Sequence, residues 1–394
     1  MTITRVLVAI DRIPYLWKNR MLEQLCHHPH FTPWSDPLSG VTSYILNTDV
    51  APCIQSFYFT NQPLSRDQKT LWFYACYPPA RYHIVGVMNL DPAHPNIQVF
   101  PQASFESESV MVEPDGNSCW YTEAGSVKRI FRDGTVEIFA TLPDDFVANR
   151  RIYRTATHLT RSCDGKYLLL DGQIGNSWFV GVLDLQTRAF RLIKEFTRNY
   201  NHGQFSTAHP DLFTLAMDHY YDAISGRRYH YDNRIWLLNT AGTQFETLTP
   251  DCIGSHLKGD CHEWWSPDGK VCWVNYEQGV YEMDLTNRTK TLVWGRPLCH
   301  AQCDHQRELW VADDSPYFWK TRPCAVRFYQ RSSKREIDIA SGMPEPTVQR
   351  SWYHIDPHPQ FSPKDDAVIY TTTVNQGRTQ LAICPVENIL KALV

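Results

Sequence analysis

The feature that most constrains the fold is a short polar turn that recurs seven times, each time just before a hydrophobic run. Each turn is centred on an Asp and begins or ends with small or polar residues. The seven Asp positions are 67, 115, 164, 211, 268, 304 and 365. They are about 50 residues apart on average, and a repeat of roughly 40–50 residues with several strands per unit is typical of propeller blades.

The remainder of each repeat has the pattern of an antiparallel meander. Residues 182–185 and 190–193 are strand-like runs separated by Gln186-Thr187-Arg188, and residues 281–285 and 291–293 repeat this arrangement. Short β-branched and aromatic runs bounded by Asp, Asn, Gly and Thr turns favour strands. The sequence therefore predicts an all-β protein, a seven-bladed β-propeller with four-stranded blades around a channel.

The repeat also predicts how the chain divides. Propeller blades cannot bury their faces individually, so we expect residues 36–394 to form a single closed body. Residues 1–35 lie outside the repeat, and we expect them to form an N-terminal appendage or a segment that closes the ring. Aromatic residues make up 13% of the chain, which suits the space between twisted sheets.

Charge and cysteine usage narrow the partners and the compartment. The net charge of −4 gives no basic face, which argues against nucleic acid as a partner. The N-terminal apolar run is too short for a signal peptide, and no apolar stretch is long enough to span a membrane. The 12 cysteines sit mostly in strand-like runs, so we expect reduced thiols and a cytoplasmic protein.

Histidines cluster a few residues before several of the turns. In a propeller these positions lie on the innermost strand of each blade, so they converge on the channel although they are distant in sequence. The set comprises His158, His202, His262, His300 and His358, with His354 and Asp356 close by. Strand alternation would place residues 354, 356 and 358 on one face. Imidazole side chains together with a carboxylate suit Mn, Fe or Zn as ligands. The alternative to a metal site is that each histidine merely fills a polar position in a wet channel.

Three motifs in the second half of the chain resemble, in order, motifs of the oligogalacturonate lyases. They are Cys261-His262-Glu263-Trp264-Trp265-Ser266-Pro267-Asp268-Gly269, then Leu298-Cys299-His300, then Asp356-Pro357-His358-Pro359-Gln360-Phe361-Ser362-Pro363. Residues 233–237 resemble the segment with that family's active-site arginine, and residues 36–40 resemble its opening strand. The similarity extends from about residue 36 to the end and is dense only from about residue 200 onward.

The resemblance implies a cytoplasmic seven-bladed propeller that cleaves short uronides by β-elimination with a manganese-type ion. It implies metal ligands at His300 and His358, a catalytic arginine at Arg234 and a catalytic histidine at His262. Two departures affect the metal set. Asp356 stands where the family has a histidine, and the family's glutamine position falls on or near Tyr353. Asp356 or His354 is expected to complete the set, with Mn as the first choice of metal and Zn, Fe or Ca as alternatives.

The chemistry of such a cleavage can be argued from the residues. The proton on C5 of a 4-O-linked uronide is too weakly acidic until the adjacent carboxylate is neutralised, a role for a divalent ion. A histidine near its ordinary pKa can then act as the base. We therefore expect His262 to remove the C5 proton and Arg234 to pair with a carboxylate or the bridging oxygen of the substrate. The remaining predicted substrate contacts are His158, His202, Gln55 and Trp264. In the family, the segment at residues 54–56 is basic instead.

Two alternatives remain open at this stage. The protein could be a noncatalytic propeller that binds a glycan or a protein, in which case the channel histidines are structural. It could also be a lyase for a different small uronide oligosaccharide, such as a rhamnose-linked or sulfated one.

Overall fold

The described residues of the computed structural model form seven sheets arranged in a ring. The structure describes residues 20–105, 107–222, 224–250, 259–314 and 323–393. The predicted all-β seven-bladed propeller is confirmed, since the seven sheets follow the seven repeats in order.

Blades 1 to 3 are consecutive antiparallel meanders. Blade 1 consists of β3 (Cys53–Gln55), β4 (Thr70–Cys76), β5 (His83–Asn89) and β6 (Ile97–Phe105). Blade 2 consists of β7 (Met111–Val112), β8 (Ser118–Glu123), β9 (Ser126–Phe131) and β10 (Val136–Thr141). Blade 3 consists of β11 (Ile152–Arg154), β12 (Thr160–Arg161), β13 (Tyr167–Ile174), β14 (Ser177–Asp184) and β15 (Phe190–Phe196).

Blades 4 to 6 continue the pattern, with one insertion. Blade 4 consists of β16 (Tyr200–Phe205), β17 (Leu212–Met217), β20 (Ile235–Asn239) and β21 (Phe245–Thr247), and it carries an extra hairpin of β18 (Tyr220–Tyr221) and β19 (Arg228–Tyr229). Blade 5 consists of β22 (Asp260–Trp265), β23 (Val271–Asn275), β24 (Gly279–Asp284) and β25 (Thr289–Trp294). Blade 6 consists of β26 (Ala301–Cys303), β27 (Leu309–Asp313), β28 (Cys324–Gln330) and β29 (Arg335–Met343).

Blade 7 joins the two ends of the described chain. Its strands are β30 (Gln360–Phe361), β31 (Ala367–Thr372), β32 (Gln380–Pro385), β2 (Thr42–Leu46) and β1 (Phe31–Ser35). Strand β2 pairs antiparallel with β32, with Tyr44 opposite Ile383. The N-terminal strands therefore close the ring, while the division of the chain at residue 35 stays a prediction.

The described helices are short and peripheral to the sheets. They are α1 (Arg20–His27), α2 (Asp144–Val147), α3 (Arg350–Tyr353) and α4 (Val386–Leu393). No helix among the described residues combines the length and the apolar character needed to cross a membrane.

Six of the seven predicted turns lie between the first and second strands of their blades, and the turn of blade 3 lies between β12 and β13. The side chains of Ser162 and Ser266 donate hydrogen bonds to Asp164 and Asp268, at 2.7 and 2.6 Å. The fourth residue of the turn that begins at Ser266 is Gly269. It has a left-handed backbone with φ of 83°, a conformation that favours glycine.

Blade 6 follows the same plan with a shifted register. Asp304 takes the first position of its turn rather than the third, and its Oδ1 accepts hydrogen bonds from the backbone N–H groups of Glu308 and Leu309.

Side-chain amides join different blades around the channel. Gln204 Nε2 donates to the Glu263 carbonyl at 2.8 Å, and Gln302 Nε2 donates to the Phe59 carbonyl at 2.8 Å. Asn61 Nδ2 donates to the carbonyls of both Val110 and Leu159. These hydrogen bonds cross blade boundaries, because the segment after β3 that contains Phe59 and Asn61 reaches residues of blades 2, 3 and 6. They hold the blades together around the channel.

The unusual environment of Asp304 generates a stability prediction. Burial raises the pKa of Asp304 to about 6, and its Oδ2 is buried without a hydrogen bond. A raised carboxyl pKa means that the folded state is favoured when the group is protonated, and this contribution is lost as pH rises towards 6. Asp304→Asn should therefore stabilise the protein by about 1 kcal/mol at neutral pH, after allowance for solvent screening, and the gain should vanish near pH 4.

Thermal denaturation as a function of pH measures this difference. Asp164→Asn is the matched control, because a hydrogen bond from Ser162 lowers the pKa of that exposed turn carboxyl to about 2, and its replacement should bring no gain. A pH-independent change in Tm for Asp304→Asn would contradict the assignment.

Candidate functional site

The predicted channel histidines converge at the end of the channel opposite the seven turns. The ring centroids of His262 and His300 are 4.1 Å apart, and those of His300 and His358 are 4.3 Å apart. Tyr58 of blade 1 lies among them, stacked on His158 at 4.2 Å and 4.7 Å from His358. Side chains from five blades thus meet in one cluster.

Local backbone irregularities aim two of these histidines. His202 lies at a register shift in β16 and His262 at a register shift in β22. Both have left-handed backbones, with φ of 51° and 45°. Bulges re-aim side chains, and a non-glycine residue in this region costs about 1–3 kcal/mol, so such positions concentrate at functional sites.

The strand alternation predicted for residues 354, 356 and 358 is wrong. His354 ends α3 with a φ of 42°, and β30 begins only at Gln360, so residues 355–359 are not a strand. The three side chains nevertheless meet, because the irregular segment folds back on itself. Asp356 Oδ2 lies 3.3 Å from His354 Nε2 and 3.9 Å from His358 Nε2.

His300, Asp356 and His358 form a candidate metal centre. Their ligand atoms all lie within 4.8 Å of one another, and all three residues are buried. His300 Nδ1 is held by Asp313 at 2.9 Å, which leaves Nε2 of that ring for a ligand. His358 Nε2 is buried without any hydrogen bond, an arrangement that a bound cation would satisfy.

Asp313 positions both histidines of the candidate metal centre. Its carboxylate accepts hydrogen bonds from the backbone N–H of His300 at 2.9 Å and from that of His358 at 3.1 Å, in addition to the His300 ring. One buried side chain therefore fixes both imidazole positions. Burial raises the pKa of Asp313, although the backbone N–H of His300 opposes this shift.

The protonation states of the three groups suit a cation. Burial lowers the pKa of His300 to about 3, and burial followed by His300 lowers the pKa of His358 well below its usual range. Burial would raise the pKa of Asp356, but His354 and Arg350 together hold it low. Two neutral imidazoles and one carboxylate are the forms that ligate metals.

A second group of potential ligands consists of His262, Cys299 and His300. Burial raises the pKa of the Cys299 thiol well above its usual value, so the thiol stays protonated and is a poor ligand. The trio containing Asp356 is the better metal centre.

His354 has a different role in this arrangement. Its Nδ1 contacts Glu108 at 2.6 Å and its Nε2 contacts Asp356 at 3.3 Å. Burial alone would lower its pKa, but these two carboxylates hold the pKa of His354 well above the ordinary value. Both ring nitrogens are engaged, so Asp356 rather than His354 is placed to complete the trio.

His262 is neutral and oriented. Its Nδ1 donates to the Cys299 carbonyl at 2.7 Å, which leaves Nε2 as the basic atom. Burial, followed by His300 and Arg234, lowers the pKa of His262 well below its usual value.

Arg234 is buried between two carboxylates. Its Nε contacts Glu263 Oε2 at 3.2 Å and its Nη1 contacts Asp218 Oδ1 at 3.3 Å. Glu263 is itself buried and pairs with Arg234. The arginine is therefore rigid, and its charge is largely balanced within the protein.

A pocket of about 210 Å³ gives access to His262, Arg234 and His354. It is lined by Tyr58, His202, Asp218, His219, Arg228, His230, Tyr231, Arg234, Cys261, His262, Tyr276 and His354. Of the predicted substrate contacts, His202 lines it directly, and His158 supports His202 through a 3.0 Å contact between Nε2 and Nδ1.

Two predicted substrate contacts lie elsewhere. Gln55 is buried and donates to the Tyr353 carbonyl at 3.1 Å, so it supports the segment that leads to His354. Trp264 is buried against Phe59 and Trp310 in the core between blades 5 and 6, and it lines a cavity at the turn end of the channel. The structure does not bring Trp264 to the histidine cluster, because the bulge at His262 separates their directions.

Sequence reasoning missed four residues of the site. These are Tyr58, Glu108, Asp218 and Asp313. Asp218 and Asp313 have a detectable signal, since each is a carboxylate at or just beyond the end of an apolar second strand. Tyr58 and Glu108 lie in irregular segments before the turns of blades 1 and 2, where the repeat offers no histidine to mark the position.

Comparisons with known proteins agree with this geometry at the level of fold. No family model and no curated protein matches the chain. Two solved structures are similar over 90% of this chain and 96% of their own. One is an oligogalacturonate lyase in complex with manganese, with a TM-score of 0.72 and 17% identity. The other is an oligogalacturonate lyase from Vibrio parahaemolyticus, with a TM-score of 0.71 and 16% identity. The chain shares the seven-bladed propeller fold of the oligogalacturonate lyases.

Proposed function

We propose that the protein is a divalent-metal-dependent lyase that cleaves short uronic-acid-containing oligosaccharides by β-elimination. The observation that carries the proposal is the contact between His262, a neutral and oriented imidazole, and the buried trio of His300, Asp356 and His358. The rings of His262 and His300 are 4.1 Å apart, so a base and a candidate cation site adjoin one pocket.

The residues present fit a divalent ion. Imidazole and carboxylate ligands suit manganese, iron or zinc, and manganese is the first choice because one similar structure is a manganese complex. When bound, the ion would supply charge stabilisation to a uronate carboxylate and thereby acidify the neighbouring C5–H.

The protein's own groups provide the proton transfer. His262 Nε2 takes the proton from C5, while the bond from C4 to the departing oxygen breaks and a C4=C5 double bond forms. The departing oxygen gains one proton in total, so no water is consumed. Hydrogen bonding of Nδ1 to the Cys299 carbonyl fixes the tautomer that this step requires.

Arg234 contributes a fixed donor beside the reacting bond. Its two carboxylate partners hold the guanidinium in place, so it can stabilise negative charge that develops on the departing oxygen without rearranging.

A cytoplasmic location is also part of the proposal. The free thiols of the described cysteines support it, because reduced cysteines predominate in reducing compartments. A small uronide oligosaccharide, rather than a polymer, suits a pocket of about 210 Å³.

Metal binding is the first test. Wild-type protein should bind Mn²⁺ with one site by calorimetry and elemental analysis. His358→Ala should weaken this binding more than about 100-fold. Loss of a residue that only supports a metal ligand weakens metal binding up to about 100-fold, and His358 is assigned as a ligand itself. The Tm of this variant without metal should fall somewhat, because a buried ring packed against Tyr58 and His300 is removed, so binding is measured well below the Tm.

His158→Ala provides the matched control, since His158 is an equally buried channel histidine outside the trio. It should retain Mn²⁺ affinity. Unchanged Mn²⁺ binding by His358→Ala would refute the assigned centre.

Activity on uronides is the second test. His262→Gln should lower kcat for digalacturonate cleavage about a hundred- to ten-thousand-fold, the usual contribution of a general base, with Mn²⁺ content preserved. Product is followed by the ultraviolet absorbance of the unsaturated uronate.

The control is His28→Gln, a buried histidine in blade 1's periphery whose Nε2 also contacts a backbone carbonyl, that of Asn89 at 2.9 Å. It should keep wild-type kcat. Arg234→Ala is less informative, because it would strand two buried carboxylates and destabilise the fold. A His262→Gln protein with normal turnover would leave His262 only a structural role.

The pH profile gives a third test. The base acts when unprotonated, and the pKa of His262 is lowered, so activity should persist as pH falls through the ordinary histidine pKa of about 6.5. The acid limb of kcat/KM should have its midpoint below that value. A midpoint above it would assign the proton transfer to another group.

A further inference from the structure

The hairpin of β18 and β19 places an arginine in the pocket whose charge is balanced by no carboxylate of the described residues. Arg228 lines the pocket, and its Nε is buried without a hydrogen bond. Within the described residues, the nearby carboxylates pair with other cations: Asp218 contacts Arg234 and His219, and Asp232 contacts Arg198. Arg228 makes no ion pair there.

The other cations of the pocket are already neutralised. Arg234 has two carboxylate partners, and His354 has Glu108 and Asp356. An arginine that is partly removed from water without a partner is unfavourable unless an anion occupies the site when it functions. The pocket therefore has one guanidinium available for a ligand.

The position of Arg228 is well defined. Opposite it in the hairpin stands Tyr221, whose ring lies 5.9 Å from the guanidinium. The hairpin is anchored on its neighbour blade, because Tyr220 stacks on Tyr229 at 5.1 Å and packs edge-on against Trp178 at 5.0 Å.

The hairpin is an addition to blade 4 and not part of the metal trio. His300 and His358 are not among the residues that line the pocket with Arg228, and each uronate carries only one carboxylate. A carboxylate at the trio and an anion at Arg228 would thus belong to two different sugar residues of one substrate.

We propose that Arg228 binds the carboxylate of the sugar residue that leaves, and so selects substrates in which both residues flanking the cleaved bond are uronates. This inference rests on the proposed lyase function. It predicts slower cleavage of a rhamnose-linked substrate, because a neutral leaving residue has no carboxylate for the guanidinium to bind. Arg228 acts here as a specificity residue.

The test compares two disaccharides that differ in one group. One is digalacturonate, and the other is galactosyl-(1→4)-galacturonate, which lacks the carboxylate on the leaving residue. Arg228→Gln should raise KM, and Kd by calorimetry, about 10- to 100-fold for digalacturonate, which corresponds to one charge-assisted hydrogen bond. It should have little effect on the galactosyl compound, and Arg228→Lys should restore part of the affinity.

Arg227→Gln is the matched control. Arg227 adjoins Arg228 in the hairpin, is exposed, and lies over the Tyr229 ring at 5.1 Å. It should behave as wild type with both disaccharides. An equal penalty of Arg228→Gln on both compounds, or no penalty on either, would overturn the proposal.

The same measurements separate this inference from the lyase proposal. Binding of digalacturonate that depends on Arg228 without release of unsaturated product would uphold the carboxylate site and reject the lyase. Product formation at the same rate with and without Arg228 would uphold the lyase and reject the carboxylate site. Failure to bind either disaccharide would overturn the inference. A third disaccharide with a 6-sulfate on the leaving residue tests the anion, since dependence on Arg228 for the sulfate alone would overturn the carboxylate assignment.

Discussion

Closure of the ring by β2 on β32 is the constraint on which the site depends. The pairing of Tyr44 with Ile383 joins the N-terminal strands to the last blade, and without it blades 1 and 7 would be free edges. His300 and His358 come from blades 6 and 7, and Tyr58 from blade 1. The rings of His300 and His358 are 4.3 Å apart, and that of Tyr58 is 4.7 Å from His358. Tyr58 reaches this cluster because a closed propeller makes the first and last blades neighbours. The candidate metal centre therefore draws on two blades, and the cluster around it depends on the closed ring.

Electrostatic balance divides the channel into two chemical parts. Carboxylates keep Arg234 and His354 charged, whereas burial keeps His262, His300 and His358 neutral. The neutral groups are those that a cation or a proton needs, and the charged groups hold them in position. Arg228 departs from this balance, and its charge is left for the ligand. This separation of roles is typical of sites where burial and specific partners shift pKa values in opposite directions.

The two ends of the channel serve different purposes. At the turn end, side-chain amides such as Gln204 and Gln302 satisfy backbone carbonyls of other blades, and Trp264 and Trp265 fill the cores on either side of blade 5. At the opposite end, His358 Nε2 and Arg228 Nε remain buried without partners. Satisfied polar groups stabilise a fold, whereas His358 Nε2 and Arg228 Nε are buried atoms beside the histidine cluster and its pocket that a bound ligand would satisfy.

The sequence by itself determined the blade number and the candidate residues. The polar turns before apolar runs and the histidines at matching offsets are local patterns, and local patterns predict strands and their order. The tertiary structure decided the pairing of these residues: Glu263 with Arg234, Asp313 with both metal histidines, His354 with Glu108, and Trp264 in the core rather than the pocket. Bulges at His202 and His262 and the irregular segment before β30 break the alternation that sequence reasoning assumes. Directions of side chains at such points depend on contacts between blades far apart in the chain, which no local pattern records.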